Sequence, residues 1–238
     1  MRYPRRQGRL PLYRTAVFFD WHGVLCRDRF WHSILDAERH PAQVALQSFA
    51  DELFSNEQLV RAWMRGLVSL DEVLQGWPTH HRRWNTRFLL RRAVRDCRRM
   101  QILPAMAALA HELSASCFVV VATDNMDCFA DAARHHTGLN ALFDDVICSS
   151  ELGVLKRDDP RRFFSAFLNT IGGSLENSIL VDDSLANCVA FSEAGGRVVH
   201  HREPERTRAE LLELLLSNRS PSVPFCPEST RSPEQADR

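Results

Sequence analysis

Five short apolar runs set the first constraint on this chain: residues 15–19, 117–122, 145–148, 178–181 and 197–200. They are mostly continuous rather than alternating, which is the pattern of strands buried on both faces, as in a parallel sheet. From Pro104 onward they are interleaved with helical patterns. Pro104 opens AMAALAHEL at a favoured first-turn position. Further helices are expected over 126–136, 160–169, 184–193 and 206–216, the third of them stopped by Gly195 and Gly196. Such alternation predicts an α/β fold: a doubly wound, mainly parallel, five-stranded sheet.

The first two runs are separated by about 95 residues, whereas a right-handed crossover needs only a few tens. Residues 27–97 offer no convincing strand and read as helices over 43–54, 56–67, 70–75 and 83–97. The expected organisation is therefore a core of residues 13–26 and 98–216 with an all-helical cap, 27–97, inserted after the first strand. A basic tail (1–12) precedes the core, and a Ser- and Pro-rich tail (217–238), expected to be disordered, follows it.

Net charge is zero, so nothing global calls for nucleic acid. No apolar run approaches the roughly 20 residues of a spanning helix, and the basic N-terminus lacks the apolar stretch of a secretory signal. The cysteines at 26, 97, 117, 128, 148, 188 and 226 are scattered and never in CxxC spacing. That argues against zinc and disulfides and for a reducing, cytoplasmic setting. Cys117 and Cys148, beside apolar runs, are expected in the core. The 30 basic residues comprise 29 arginines and one lysine, Lys156. An ammonium is a compact point charge and a guanidinium a wide planar fork, so a crowded pocket can demand the former.

Ligands of open α/β sheets bind beyond the carboxyl ends of the strands. The first run ends in Asp20-Trp21-His22-Gly23, the second in Thr123-Asp124-Asn125 and the fourth in Asp182-Asp183; the loop after the third carries Lys156. Each alone has a plainer reading, and Asp182-Asp183-Ser184 has the look of a helix N-cap. Together they place carboxylates, a hydroxyl and the sole lysine along one edge.

The segments AVFFDWHGVL, FVVVATDN, ELGVLK and ILVDDSLAN resemble, in order and spacing, the four motifs of the haloacid dehalogenase (HAD) superfamily. Those motifs are an apolar strand ending DxDG, a second ending in Ser or Thr, a lone Lys, and an acidic pair. The resemblance implies a HAD-like Rossmannoid core over roughly 13–216, a helical cap of the first type, and a magnesium-dependent hydrolase, most readily a phosphatase of a small phosphorylated metabolite. By the same resemblance, Asp20 attacks phosphorus to give an aspartyl-phosphate. Asp20, Asp182, Asp183 and the backbone carbonyl of His22 hold Mg2+, while Thr123, Asp124 and Lys156 cradle the transferring oxygens. The chemistry is coherent: an anionic nucleophile approaches an anionic ester only when charge is neutralised.

His22 departs from the pattern. The family commonly has a second Asp there, which protonates the leaving group and later activates water. Histidine, with a free pKa near ~6.5, suits reversible proton transfer but is bulkier. Two alternatives stay open: an impaired HAD-fold protein that binds phosphate or regulates, and a hydrolase of C–halogen or C–P bonds. Haloacid dehalogenases place Tyr at this position and dispense with the metal, so the acidic pair speaks against them. Phosphonoacetaldehyde hydrolases use a cap lysine that this chain lacks. In the cap, Arg83, Arg87, Arg91 and Arg95 share one helix face, read as a solvated face in preference to a substrate-attracting surface. His80-His81 and His135-His136 read as surface residues.

Overall fold

A computed structural model of the chain describes residues 15–77 and 85–217. The N-terminal tail, His80, His81, Arg83, Cys226 and residues 218–238 lie outside them. The chain opens with β1 (Ala16–Phe19), followed by the helical insertion: α1 (His32–Leu35), α2 (Gln43–Ser55), α3 (Glu57–Met64), α4 (Leu70–Val73) and α5 (Thr86–Cys97). Then come α6 (Pro104–Leu113), β2 (Phe118–Thr123), α7 (Asp127–Ala133), α8 (Thr137–Leu142), β3 (Asp145–Cys148), α9 (Ser149–Leu152), α10 (Pro160–Ile171), β4 (Ser178–Asp182), α11 (Leu185–Glu193), β5 (Arg197–His200) and α12 (Pro204–Leu216).

The sheet runs β3-β2-β1-β4-β5 and every pairing is parallel. The first strand of the chain is thus the central one. Its last residue, Phe19, is level with Val121 on one side and Val181 on the other. The chain winds outward through β2 and β3, then returns to β4 and β5, so the switch point lies at the end of β1. All six described cysteines are free and buried.

Period-two alternation sorts β1 between two cores. Ala16 and Phe18 face α10 and α11, where Phe18 meets Phe164 at 4.8 Å and Phe164 meets Phe191 at 4.6 Å between ring centroids. Val17 and Phe19 face the opposite core, which continues without a break into the insertion through Trp31, Ile34, Leu46, Trp63, Leu74 and Leu89. Local chemistry sets the helix ends. Asp159 accepts from the Arg162 N–H at the start of α10 and Ser184 from the Asn187 N–H at the start of α11. Ser69 and Glu72 form a capping box on α4.

One expectation is corrected. His135 is exposed, but His136 is buried. Its Nδ1 accepts from the Leu139 N–H at 3.2 Å, so Nε2 carries a proton and donates to the Met100 carbonyl at 2.8 Å. A histidine whose two nitrogens both find backbone partners can be buried without an orphaned polar atom. Truncating Phe164 to Ala, at 0 % exposure amid these rings, is expected to cost about 3–5 kcal/mol, measured by urea denaturation.

Candidate active site

The ammonium of Lys156 is the centre of the site, at 1 % exposure in the loop after α9. Its Nζ lies 2.9 Å from Asp20 Oδ1 and 2.6 Å from Asp182 Oδ2, and donates to the Ala122 carbonyl at 3.2 Å. All three ammonium donors therefore have acceptors, from the ends of β1, β4 and β2. The Lys156 N–H donates to Asp124 Oδ1 at 2.9 Å. Burial alone would lower the lysine's pKa, but Asp182, Asp20 and Asp124 overcome it and hold the group above its usual range.

Asp20 leaves β1 with its N–H on the Val181 carbonyl at 2.9 Å, continuing the ladder. Its Oδ1 accepts from the Trp21 N–H at 2.7 Å as well as from Lys156. Burial pushes its carboxyl up to about 8, opposed by Lys156 and reinforced by Asp182 and Asp124.

The acidic pair divides its labour. Asp182 is wholly buried and receives the Ser184 N–H at 2.9 Å, Asn187 Nδ2 at 3.1 and 3.2 Å, and Lys156. Asp183 is exposed. One carboxylate oxygen each from Asp20, Asp182 and Asp183 lies within 4.8 Å of the others. Gly23, at φ +87°, makes room for this: a Cβ there would overlap the Asp183 carboxylate. Three carboxylates, Asp20, Asp124 and Asp182, contact a single lysine, and Asp183 adds a fourth through the cluster. Hard oxygen donors with surplus negative charge suit a hard divalent cation such as Mg2+, so the residues present fit such an ion.

His22 sits in a tight turn in which Gly23 donates to the Cys26 carbonyl at 2.9 Å and Cys26 to the Trp21 carbonyl at 2.8 Å. Its side chain is exposed and lies outside the carboxylate group. Thr123 is buried at the end of β2, its Oγ1 3.4 Å from Asn125 Nδ2. Asp20, Asp124, Lys156 and Asp182 are thus in mutual contact through the lysine, Asp183 joins through the carboxylate cluster, and Thr123 and His22 stand beside them.

Sequence reasoning passed over three residues. Asn187 grips Asp182 from the first turn of α11; its signal was its position five residues past Asp182, behind a Ser N-cap. Ser149 accepts from the Asn125 N–H at 2.9 Å and donates to the Met64 carbonyl at 2.6 Å, tying the loop after β2 to the end of α3. Asp127 accepts from Trp63 Nε1 at 2.7 Å and the Leu70 N–H at 3.1 Å. With Arg61 and Arg65 paired to Asp158, these contacts fasten the insertion to the loop that follows Thr123 and the loop that carries Lys156.

A model of the haloacid dehalogenase-like hydrolases matches residues 15–195. No curated protein matches the chain by sequence. Among solved structures, a HAD family enzyme from Bacteroides thetaiotaomicron, in complex with magnesium and inorganic phosphate, superimposes with a TM-score of 0.55 at 16% identity, over 79% of this chain and 94% of that one. A predicted HAD-like hydrolase from Porphyromonas gingivalis gives 0.61 at 15% identity, over 86% and 98%. The L-2-haloacid dehalogenase of Xanthobacter autotrophicus gives 0.56 at 19% identity, over 84% and 83%. At such identities the likeness is one of fold.

Two outcomes follow from the geometry. Lys156→Met leaves Asp20 and Asp182 buried without their cation, and is expected to cost about 3–5 kcal/mol in chemical denaturation. Because burial raises the Asp20 pKa above its unfolded value, the metal-free fold loses stability progressively as pH rises from about 4 to about 8. A cation must displace that proton, so calorimetry is expected to show Mg2+ affinity rising between pH 6 and 8, with proton release on binding; affinity flat over this range would contradict the assignment.

Proposed function

This chain belongs to the haloacid dehalogenase-like hydrolases, and within that family we propose that it is a magnesium-dependent phosphohydrolase acting on a small phosphorylated metabolite. The observation that carries this reading is the convergence of Asp20, Asp182 and Asp183 around one point beside a lysine already saturated with partners. A hydrolase of C–halogen bonds needs no cation, and would keep this surplus of carboxylates at an electrostatic cost.

Asp20 is the proposed nucleophile. Its Oδ1 is held by Trp21 N–H and Lys156, which orients the carboxylate and leaves Oδ2 for the substrate. The Oδ2–phosphorus bond forms as the ester P–O bond breaks, and the leaving alkoxide takes a proton from His22. His22 then removes a proton from water, which attacks phosphorus and releases phosphate and Asp20. Thr123 contributes a hydroxyl donor toward the transferring oxygens and Lys156 its positive charge, and Asp183, Asp20, Asp182 and the His22 carbonyl would hold the cation. Bound Mg2+ supplies charge neutralisation and Lewis-acid polarisation of the phosphoryl group.

A second reading is favoured by one observation: no partner among the described residues orients the exposed His22 ring. An acid/base group left unpositioned gives slow turnover, and a protein that binds phosphate without consuming it would share every other feature. No helix among the described residues is long and apolar enough to cross a membrane, and free, buried thiols accord with a reducing, cytoplasmic setting.

Purified protein is expected to release phosphate from an aryl phosphate, with activity abolished by EDTA and reduced by at least ~10³-fold in Asp20→Asn. His22→Ala is expected to lower kcat by about 10²–10⁴-fold. Metal-independent halide release from a 2-haloacid, without phosphate release, would refute the proposal. Phosphate binding without turnover, with activity gained in His22→Asp, would establish the second reading.

A further inference from the structure

Helix α5 carries four arginines, at 87, 91, 92 and 95, and two more follow its end at 98 and 99. We propose that one face of this helix is a second anion site, distinct from the carboxylate cluster, for a small organic molecule bearing two adjacent phosphate groups. Arg91, Arg95, Arg98 and Arg99 line an open pocket of about 360 Å³ whose apolar part is Leu90 and Val94. All four arginines are exposed, while the two apolar side chains are half-buried.

Among the described residues most of the positive charge there has no carboxylate partner. The helix's one acid, Asp96, is buried and accepts from Ser33 N–H at 3.2 Å and Ser33 Oγ at 2.6 Å. Of the four arginines, only Arg98 has a carboxylate in reach among the described residues. That carboxylate, Asp131, is 3.8 Å away and also 3.6 Å from Arg134. Successive helical turns stack these like charges about 5.4 Å apart, where they repel. In a chain of zero net charge, a local excess of this kind is not a by-product of a basic protein.

The chemistry of the lining narrows the ligand. Planar guanidinium forks match phosphate oxygens in pairs, and four forks exceed what a carboxylate or one phosphate satisfies. Leu90 and Val94 offer an apolar floor for an organic body, and the volume falls within the ~300–1,000 Å³ range of small-molecule sites. A single-stranded nucleic acid would call for aromatic platforms, and none lines this pocket. The inference does not depend on the reaction assigned to Asp20.

The test is calorimetry on the full chain at physiological salt, in EDTA, with ADP, pyrophosphate, AMP and a short single-stranded oligonucleotide as probes. ADP and pyrophosphate are expected to bind at least tenfold tighter than AMP. Arg91→Ser/Arg95→Ser should weaken ADP at least tenfold, and Arg87→Ser/Arg92→Ser, with the same loss of charge outside the pocket, less than twofold. Asp20→Asn should leave ADP binding unchanged, and circular dichroism checks that each variant folds. Equal ADP and AMP affinities, equal effects of the two double variants, or loss of binding in Asp20→Asn would overturn the proposal. So would an oligonucleotide that binds more tightly than ADP.

Discussion

The buried ammonium of Lys156 is the interaction on which the rest of this molecule depends. It joins the carboxyl ends of three strands through Asp20, Asp182 and the Ala122 carbonyl, and its own N–H secures Asp124. A charge at 1 % exposure survives only with its donors filled and its field neutralised. The sheet meets that condition by putting β1 between β2 and β4, so that chain segments far apart in sequence deliver acceptors to one atom. The only lysine in an arginine-rich chain is thus explained by space: three convergent acceptors suit a point donor and would not admit a planar fork.

The same arrangement leaves negative charge in excess. Lys156 and Asn187 occupy Asp182, which fixes it as a structural anchor of the site, whereas Asp183 remains open to solvent beside Gly23. The contrast is between a carboxylate fixed by the lysine and an amide and one whose oxygens face solvent, and the two lie in one cluster with Asp20. On the other side of β1, Ser149, Asp127 and Asp158 bind the helical insertion to the loops of β2 and β3. The helical insertion is therefore anchored to the same two loops that carry Asp124 and Lys156.

Much of this was legible in the sequence, for identifiable reasons. Continuous apolar runs such as 178–181 gave the strands nearly to the residue, because burial on both faces of a parallel sheet tolerates little else. The strand ends point in the same way to Asp20, Thr123 and Asp182-Asp183, and the loop after the third run to Lys156. What stayed hidden depends on partners distant in sequence. His136 looked like its exposed neighbour His135 until the Met100 carbonyl and the Leu139 N–H came into view. Ser149 is one serine among many until Met64 lies against it. Which of Asp182 and Asp183 the lysine takes is shown only by the register of β4 against β1.

In the proposed reaction Asp20 forms a covalent bond to the phosphorus of its substrate with a divalent cation in place. Rapid acid quench of the protein during turnover of an aryl phosphate with Mg2+, followed by peptide mass spectrometry, tests it directly. The peptide containing Asp20 is expected to gain the mass of one phosphoryl group, transiently, and only when the metal is present. Turnover that proceeds at full rate with that peptide unmodified at every quench time, or in the presence of EDTA, would contradict it.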